Sequence, residues 1–482
     1  MTSLSLKNYD YILVGSGPTA LSLAWYLSKF QKKILIIERE SSAGGCHRVR
    51  RVEVNGIKYF TEHGPRIYIN NYHMFQTILS DIGVSWDNIF TKYNFGMNVS
   101  LKQILSVLSM KEFVLLGYEF LKCGLSDEYA KKTSLLEFMT YHTFSKKTQE
   151  TIDRICRLTD GGRIDNYTLF EFLEVFNQNF FYQTYQPRLP NDECLIKLWV
   201  DHLLKTGNVD ILYNTEITNI IGNHTIEGVL ITSYKGLNKQ YTANKIIFTI
   251  PPRPFVNILE NTSKIIPGLN ALRTWSEYSS YITYIPVTLH WKKNISLPKI
   301  WGSTDTDWGI IFVVLSDYMT FVTEGSSVVI SVTATLTDVK SSFTNKSADE
   351  SSAEEVVQEI FRQLSSVLGS ISQPDIALLS PGVYKVDNKW VTKDTAFVNT
   401  KLGHVPFVKI PTYEDVFWIG THSGKSSYNF TSMEAAVENG IWLAKELEPG
   451  FKVESAPIIT VRTVILPFFI LLILFLIYKN KD

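Results

Sequence analysis

The sequence predicts an α/β fold built around a βαβ nucleotide-binding unit near its start. Residues 11–14 (YILV) form a short, β-rich apolar run that is stopped by glycine, as in a buried parallel strand. The motif GSGPTA follows at residues 15–20, and apolar residues then recur at helical spacing. A second apolar run at residues 33–37 ends at Glu38. Strand, glycine-rich turn, helix and acidic strand end together indicate a Rossmann-type domain.

The residues of this motif suit a dinucleotide. Gly15 permits the tight turn out of the strand, Gly17 lets the backbone approach a pyrophosphate, and Ala20 lets the helix pack close to the sheet. The helix N-terminus then holds the pyrophosphate, because backbone N–H groups and the positive end of the dipole converge there. Glu38 is placed to accept hydrogen bonds from ribose hydroxyls and to repel a 2′-phosphate, so NADP is disfavoured.

The composition is that of a globular protein without net charge. The 482 residues predict two or three domains. The 47 basic and 47 acidic residues create no field that would favour nucleic acid as a partner. The four cysteines show neither a C-x-x-C pair nor metal-ligand spacing, so no metal site is predicted. The N-terminal sequence MTSLSLKNYD lacks the apolar core of a secretory signal peptide.

A long apolar segment lies near the C-terminus. Residues 463–478 (TVILPFFILLILFLIY) carry no charge. With the residues before them, and with Arg462 at the interface, they are long enough to span a bilayer. We expect a single-pass membrane anchor over residues 458–478, with the rest of the chain on the cytoplasmic side. The alternative is a buried terminal helix.

The middle of the chain predicts mixed α and β structure. Residues 51–60 read as a hairpin, and residues 72–200 as mostly helical, with a long apolar stretch at 101–124 broken at Gly117. Residues 261–379 contain alternating and apolar runs that predict a mostly antiparallel sheet. Within them, the spacing Ser-x-x-Glu from Ser352 predicts a capped helix.

Several segments match one known family in order along the chain. The segment SAGGCHR at residues 42–48 follows Glu38, and TEHGPRIY at 61–68 follows the predicted hairpin. Two further matches are NTEITNI at 214–220 and KIIFTIPP at 245–252.

The C-terminal half adds a strand end and a helix start. The strand VFWIGT at residues 416–421 is followed by SMEAAVENG at 432–440. Together these segments resemble the flavin amine oxidase and protoporphyrinogen oxidase superfamily. The resemblance implies a discontinuous FAD-binding domain at residues 8–71, 205–260 and 381–449, and a substrate domain at 72–204 and 261–380.

The resemblance also implies individual site residues for noncovalent FAD. In the family, the glycine pair and a nearby cation run along the pyrophosphate, a backbone segment pairs with the adenine, and the last helix points at the flavin. The FAD-binding residues implied here are Gly15, Gly17, Pro18, Thr19, Ala20, Glu38, Arg39, Gly44, Gly45, Arg48, Gly64, Pro65, Arg66, Ile217, Gly420, Thr421, Met433 and Ala436. The candidates for lining the flavin are His63, Arg66, Trp390 and Tyr428.

The chain departs from the family at three points. Cys46 and His47 stand where an arginine is usual, and Pro286 stands where many amine oxidases have a lysine. Ser432 replaces an aromatic residue before the last helix. The implied reaction is hydride transfer from a substrate C–H to flavin N5 with O₂ as acceptor, as in amine oxidation of a small molecule. The alternatives are a desaturase or protoporphyrinogen-oxidase-like enzyme acting on a lipophilic substrate, a mutase resembling UDP-galactopyranose mutase, and a protein that holds FAD for stability alone.

Overall fold

A computed structural model of the chain describes residues 8–64, 66–93, 106–159, 161–177, 183–222, 226–233, 238–261, 268–297, 302–303, 305–393, 396–398, 409–410, 414–427, 431–453 and 459–479. The strands are β1 (Asn8–Val14), β2 (Ile34–Ile37), β3 (Val49–Val54), β4 (Ile57–Glu62), β5 (Tyr68–Ile69), β6 (Phe90–Lys92), β7 (Thr184–Pro187), β8 (Val209–Leu212), β9 (Thr215–Gly222), β10 (Ile226–Ser233), β11 (Asn238–Phe248), β12 (Ser280–Ile282), β13 (Ile285–Trp291), β14 (Gly302–Ser303), β15 (Ile310–Val314), β16 (Val328–Ala334), β17 (Ile376–Leu379), β18 (Val383–Val386), β19 (Lys389–Thr392), β20 (Ala396–Val398) and β21 (Val416–Trp418). The helices are α1 (Pro18–Ser28), α2 (His73–Asp81), α3 (Trp86–Ile89), α4 (Met110–Lys122), α5 (Glu128–Lys132), α6 (Leu135–Tyr141), α7 (Lys146–Thr159), α8 (Leu169–Phe176), α9 (Leu195–Lys205), α10 (Pro252–Glu260), α11 (Leu269–Tyr278), α12 (Ala353–Leu368), α13 (Met433–Leu447) and α14 (Val461–Lys479). Short 3₁₀ turns lie at Gly45–His47, Leu315–Asp317 and Val322–Glu324.

The central sheet combines strands from distant parts of the chain. Its order is β8-β2-β1-β11-β10-β9, and β21 also pairs with β11. β1 runs parallel to both neighbours, with Val14 opposite Ile37 on one side and Phe248 on the other. Helices α1, α2, α9 and α13 pack on one face, and α10 and α11 pack on the other. This architecture confirms the Rossmann-type α/β fold.

Strand β11 takes part in two kinds of pairing. Its first residues pair antiparallel with β10, where Asn238 lies opposite Thr232. Its later residues run parallel to β1 and β21. Sequence analysis singled out only the later part of β11, in the segment KIIFTIPP at 245–252, because the first half of β11 is polar and shows no apolar period.

A second sheet has the order β14-β15-β16-β13-β17 and is antiparallel, as predicted. Helix α12 covers one face, where Ile330, Val332 and Ala334 of β16 share its core. Because successive residues of a strand point to opposite faces, Ser331 and Thr333 lie on the face away from α12.

Two local predictions are confirmed. The Ser352 hydroxyl accepts the Glu355 N–H at 3.2 Å, and the Glu355 carboxylate accepts the Ser352 N–H at 2.8 Å, which completes the predicted capping box of α12. The predicted hairpin also forms, as β3 and β4 with Arg51 opposite Phe60. It extends further than residues 51–60, since Val49 pairs with Glu62.

Helices α4 to α8 surround a separate core around Phe138. The predicted break at Gly117 is wrong, because α4 runs from Met110 to Lys122 through this residue. Residues 101–105 of the predicted apolar stretch lie outside the described residues. A glycine inside a helix costs only about 1 kcal/mol relative to alanine, and the capping box of Ser109 and Glu112 helps to offset that loss.

The first turn of helix α14 is docked on the helical region. Arg462 is 7% exposed. It forms an ion pair with Glu174 at 2.6 Å, and its Nε donates to the Phe120 carbonyl at 2.7 Å. Within the described residues, no helix combines the length and apolarity that a bilayer crossing requires. The predicted transmembrane anchor over residues 458–478 is therefore wrong.

Candidate functional site

The glycine-rich turn after β1 forms a backbone-lined cradle at the start of α1. Gly15 has φ +96°, a conformation that residues with a Cβ rarely adopt. The Gly44 N–H donates to the Ser16 carbonyl at 2.9 Å, and a Cβ added to Gly45 would lie 3.1 Å from Gly17 Cα. No side chain of the described residues caps α1, whose N-cap residue is Gly17. This cradle fits a pyrophosphate, which the helix N-terminus would bind.

The first turn of α1 is held tightly by α13. Pro18, Thr19 and Ala20 are all buried. A Cβ added to Gly440 of α13 would lie 2.4 Å from Ser22 Oγ and 2.7 Å from the Thr19 carbonyl oxygen. Only glycine permits the two helices to approach this closely. The contact places the C-terminal part of the predicted FAD site beside the N-terminal part.

Glu38 ends β2 with its carboxylate buried among hydrogen-bond donors. Its Oε2 accepts the Ser16 N–H at 3.1 Å and the Ser16 hydroxyl at 2.6 Å, and lies 3.1 Å from Arg48 Nη2. Its Oε1 accepts the Glu40 N–H at 2.9 Å. A carboxylate oxygen can accept two hydrogen bonds, so Oε1 retains capacity for a ribose hydroxyl. Sequence analysis did not single out Ser16, although it lies inside the glycine motif.

The two arginines near Glu38 lie in different surroundings. Arg48 is 3% exposed, and its Nε donates to the Ser42 carbonyl at 2.7 Å in addition to the ion pair with Glu38. The structure thus places Arg48 beside the predicted ribose carboxylate, whereas the resemblance directed it at the pyrophosphate. The Arg39 side chain is 45% exposed and donates to the Lys393 carbonyl at the surface.

The loop after β21 is fixed onto α13. Asn439 is fully buried; its Nδ2 donates to the Thr421 carbonyl at 2.8 Å, and its Oδ1 accepts the Lys425 N–H at 2.9 Å. The Gly420 N–H donates to Ser423 Oγ at 2.9 Å. Gly420 and Thr421 are therefore held at the carboxyl end of the parallel strands, where ligands of open α/β sheets bind.

Helix α13 begins at the same edge of the sheet. The Ser432 hydroxyl accepts the Ala435 N–H at 3.0 Å and so caps the helix. Met433 and Ala436, both predicted FAD contacts, are 3% and 5% exposed. The serine that replaces the family's aromatic residue thus has a local structural role as the cap of α13.

Glu434 joins α13 to α2, a role that sequence analysis missed. Its carboxylate accepts the Met74 N–H at 2.6 Å and the Phe75 N–H at 3.0 Å, which are first-turn donors of α2. Burial, and secondarily the charge of Glu438, raises the pKa of Glu434 to about 8, while the two N–H groups lower it. The acidic residue in the segment SMEAAVENG therefore supports the fold of the nucleotide domain.

Strand β9 is tied to the end of β2. The Thr215 N–H donates to the Glu38 carbonyl and the Asn214 N–H to the Glu40 carbonyl, each at 3.0 Å. Ile217, two residues along β9, is 3% exposed and packs its side chain in the core. A ligand near Ile217 would meet its backbone, which is the contact that the resemblance implies for the adenine.

A second group of predicted residues follows β4. His63 is buried, with its Nδ1 3.4 Å from Thr392 Oγ1. A Cβ added to Gly64 would lie 3.4 Å from Thr333 Oγ1, so this turn faces the second sheet. Arg66 donates from Nη2 to the Cys46 carbonyl. The turn thus places His63 beside β19 and Gly64 beside β16, whereas Arg66 reaches back to the loop at Cys46.

The remaining predicted residues do not join this group. The Trp390 side chain is buried in the core beneath α12, and its Nε1 donates to the Ala348 carbonyl at 2.9 Å. Its ring therefore packs in the core of the second sheet. Pro65 and Tyr428 lie outside the described residues.

His47, which had no assigned role, lies beside Arg66. Its Nδ1 is 3.1 Å from Tyr68 Oη. Burial, followed by the charges of Arg66 and His63, lowers the pKa of His47 well below its ordinary value of 6.5. His47 is consequently neutral at neutral pH and serves as a hydrogen-bond partner of Tyr68.

Glu62, the last residue of β4, is an ionisable group that sequence analysis also missed. Burial raises the pKa of Glu62 to about 7, whereas the Ser331 hydroxyl and the Arg66 charge lower it. Burial, and then the charge of Glu62, raises the pKa of Tyr318 well above its ordinary value. An acidic residue that ends a buried strand just before a glycine turn could have marked this position. Its partners on β16 could not be found from local sequence.

The unfolding free energy should depend on pH through Glu62. The pKa of Glu62 is about 7 in the folded chain and 4.5 in the unfolded chain. Between these pH values the folded chain binds more protons than the unfolded chain, so the unfolding free energy falls as pH rises from 4.5 towards 7. We expect Glu62→Gln to flatten this part of the pH profile by at most about 1.4 kcal/mol per pH unit. The facing groups Arg66, Tyr68 and Tyr318 are unchanged in the variant. Urea unfolding at several pH values measures the slope, and parallel profiles for parent and variant would contradict the expectation.

Known proteins share the fold described above. A family model of the NAD(P)-binding Rossmann-like domain matches residues 13–81. The structure of putrescine oxidase bound to putrescine superposes with a TM-score of 0.65 at 13% identity, covering 92% of this chain and 99% of that chain. The chain has the flavin amine oxidase fold. Cyclohexylamine oxidase from Brevibacterium oxydans IH-35A gives a TM-score of 0.63 at 13% identity, covering 92% of this chain and 100% of that chain.

The same fold extends to a protoporphyrinogen oxidase-like protein from Exiguobacterium sp. 255-15. It superposes with a TM-score of 0.60 at 16% identity, covering 92% of this chain and 99% of that chain. No curated protein matches the sequence. The superpositions extend over both sheets and confirm, for the fold, the family resemblance predicted from the motifs.

Proposed function

We propose that this protein is an FAD-dependent oxidoreductase that oxidises a small amine with O₂ as electron acceptor. The observation that carries the proposal is the cradle at the start of α1, completed by the buried carboxylate of Glu38 and closed by the helix contact at Gly440. Dinucleotides bind at such a helix N-terminus at the carboxyl end of parallel strands. The chain's fold is also that of solved structures named putrescine oxidase and cyclohexylamine oxidase.

The FAD would be held noncovalently by groups from both ends of the nucleotide domain. Gly15, Gly17 and Gly45 would admit the pyrophosphate, and Glu38 would accept a ribose hydroxyl. The capped start of α13, with Met433 buried beside it, would direct its positive dipole end at the flavin. A helix dipole in that position stabilises negative charge on a reduced cofactor.

Bound FAD would supply the hydride acceptor for the reaction. The substrate loses two electrons and two protons, and O₂ takes up these electrons and protons to become hydrogen peroxide. The chain's own part is to hold the substrate carbon in place and to exclude water. The region between the end of β4 and the second sheet suits this role, because Gly64 faces Thr333 of β16 there and His63 lies beside Thr392 of β19.

An absorption spectrum of the purified full-length chain tests the cofactor. We expect flavin bands, and we expect heat denaturation followed by centrifugation to leave FAD in the supernatant, as for a noncovalent cofactor. Peroxide production with putrescine and cyclohexylamine then tests the reaction. A colourless protein that takes up no added FAD would contradict the cofactor. Bound FAD without peroxide from any amine, but with reduction by a lipophilic substrate, would instead favour a desaturase-like reaction.

A further inference from the structure

Polar side chains of Glu62, Ser331 and Thr333 lie between the end of β4 and the second sheet, and this cluster is named the recess. On β16, Ser331 and Thr333 occupy the face opposite α12. Thr288 and Pro286 lie across from them on β13. The Ser331 hydroxyl lies beside the Glu62 carboxyl, and Thr333 Oγ1 lies next to Gly64. The recess therefore borders the turn whose His63 and Arg66 the family resemblance implies as candidates for lining the flavin.

Three oxygen atoms of this recess are buried and incompletely satisfied. Glu62 Oε1, Ser331 Oγ and Thr333 Oγ1 are enclosed and make no hydrogen bond of good geometry within the part of the chain that the structure describes, although the Ser331 hydroxyl lies close enough to the Glu62 carboxyl to lower its pKa. Each buried polar group left in this state costs about 1–3 kcal/mol, and more when charged. Native proteins satisfy nearly all such groups, so three incompletely satisfied oxygens among the described residues suit a ligand that brings N–H donors.

Nearby charges leave the Glu62 carboxylate available. Arg66 directs its guanidinium to the Cys46 carbonyl, and no ion pair within 4.0 Å joins it to Glu62 among the described side chains. The phenols of Tyr68 and Tyr318 are neutral, since their pKa values are raised by burial. The Glu62 residue as a whole is half-buried, and its Oε1 is enclosed.

We propose that Glu62, together with the hydroxyls of Ser331 and Thr333, binds the protonated amino group of the substrate. This inference rests on the proposed function and names the part of the site that selects amines. An ammonium group offers three N–H donors and a positive charge, which match one carboxylate oxygen and two hydroxyls. A neutral group of the same shape cannot match the charge, so the recess discriminates against it.

Binding of cyclohexylamine to the purified full-length protein tests the proposal. Anaerobic titration calorimetry measures affinity without turnover, and cyclohexanol serves as the neutral probe of similar shape. We expect Glu62→Gln to weaken cyclohexylamine binding about tenfold or more and to leave the weak binding of cyclohexanol unchanged. Glu62→Asp should retain part of the affinity. Thr333→Val should weaken amine binding about threefold to tenfold, through one lost acceptor.

The matched control is Glu53→Gln, which removes an exposed carboxylate from the same hairpin. Equal weakening by Glu53→Gln, affinity of Glu62→Gln within twofold of the parent, or failure of the parent to bind any amine would each overturn the proposal. The melting temperature of Glu62→Gln should equal or exceed that of the parent, because a buried unpaired carboxylate is removed. Flavin content is measured on the same samples, so absent flavin contradicts the proposed function separately from any result on amine binding.

Discussion

Gly17→Ala is expected to weaken FAD retention strongly while leaving the fold intact. Gly17 has φ −73° and ψ 176°, an extended conformation that any residue adopts. An alanine Cβ there would meet only Gly45 Cα, at an ordinary 3.9 Å. The protein itself therefore does not require glycine at this position, whereas a pyrophosphate approaching the backbone would meet the new methyl group. We expect FAD affinity to fall at least about tenfold, measured as flavin bound per protein after dialysis.

The fold is followed in the same variant by urea unfolding of the flavin-free protein. We expect the unfolding free energy to change by less than about 0.5 kcal/mol. The matched control is Gly117→Ala, which adds the same methyl group where nothing lies within 4 Å. This control should keep its flavin and gain about 0.5–1 kcal/mol of stability, because glycine is unfavourable inside a helix. Full flavin content in Gly17→Ala would contradict the assignment of the cradle.

Glu174→Gln is expected to produce the largest loss of stability. The variant leaves the Arg462 guanidinium buried opposite a neutral amide, where the parent has an ion pair at 2.6 Å between side chains that are 9% and 4% exposed. Removing one charge of a buried pair typically destabilises by about 3–5 kcal/mol. Since the amide still accepts a hydrogen bond, we expect about 3 kcal/mol. Urea unfolding of the purified protein measures the change.

Two further variants separate the charge effect from general damage. Glu128→Gln breaks an ion pair whose side chains are 65% and 73% exposed, and should leave stability unchanged within error. Replacing both buried partners, as Glu174→Leu with Arg462→Met, should recover much of the loss, because no uncompensated charge remains. A double variant as unstable as Glu174→Gln would show that the ion pair is not the source of the effect.

The local parts of the fold could be predicted because neighbouring residues determine them. The motif around Gly15 and Gly17 defines strand, turn and helix within a few positions, and Ser352 with Glu355 defines a helix start in the same way. The wrong predictions involve distant partners. Arg462 looked like an interfacial charge beside an apolar run, but its partner Glu174 lies 288 positions away in the sequence.

The candidate site likewise contains residues that local sequence predicts and residues whose roles depend on distant partners. Glu38 and the glycine pair are found from spacing alone, whereas the direction of Arg48 depends on the fold of the turn after Ser42. The recess at Glu62 could not be predicted from the sequence for a further reason. The alternation in strand β16 (VVISVTA) places Ser331 and Thr333 on one face, but only the fold shows that this face is buried and meets Glu62.

The separation of the sheet's strands along the chain sets the order in which the cradle is assembled. Thr249 hydrogen-bonds to Val14 across 235 positions, and the Trp418 indole reaches the Ile250 carbonyl across another 168. During synthesis the βαβ unit leaves the ribosome long before β21 and α13 exist. FAD bound as proposed would then be inserted late, after β21 and α13 have been synthesised. Bound cofactor would stabilise the folded state and so protect the last-formed contacts from unfolding and proteolysis.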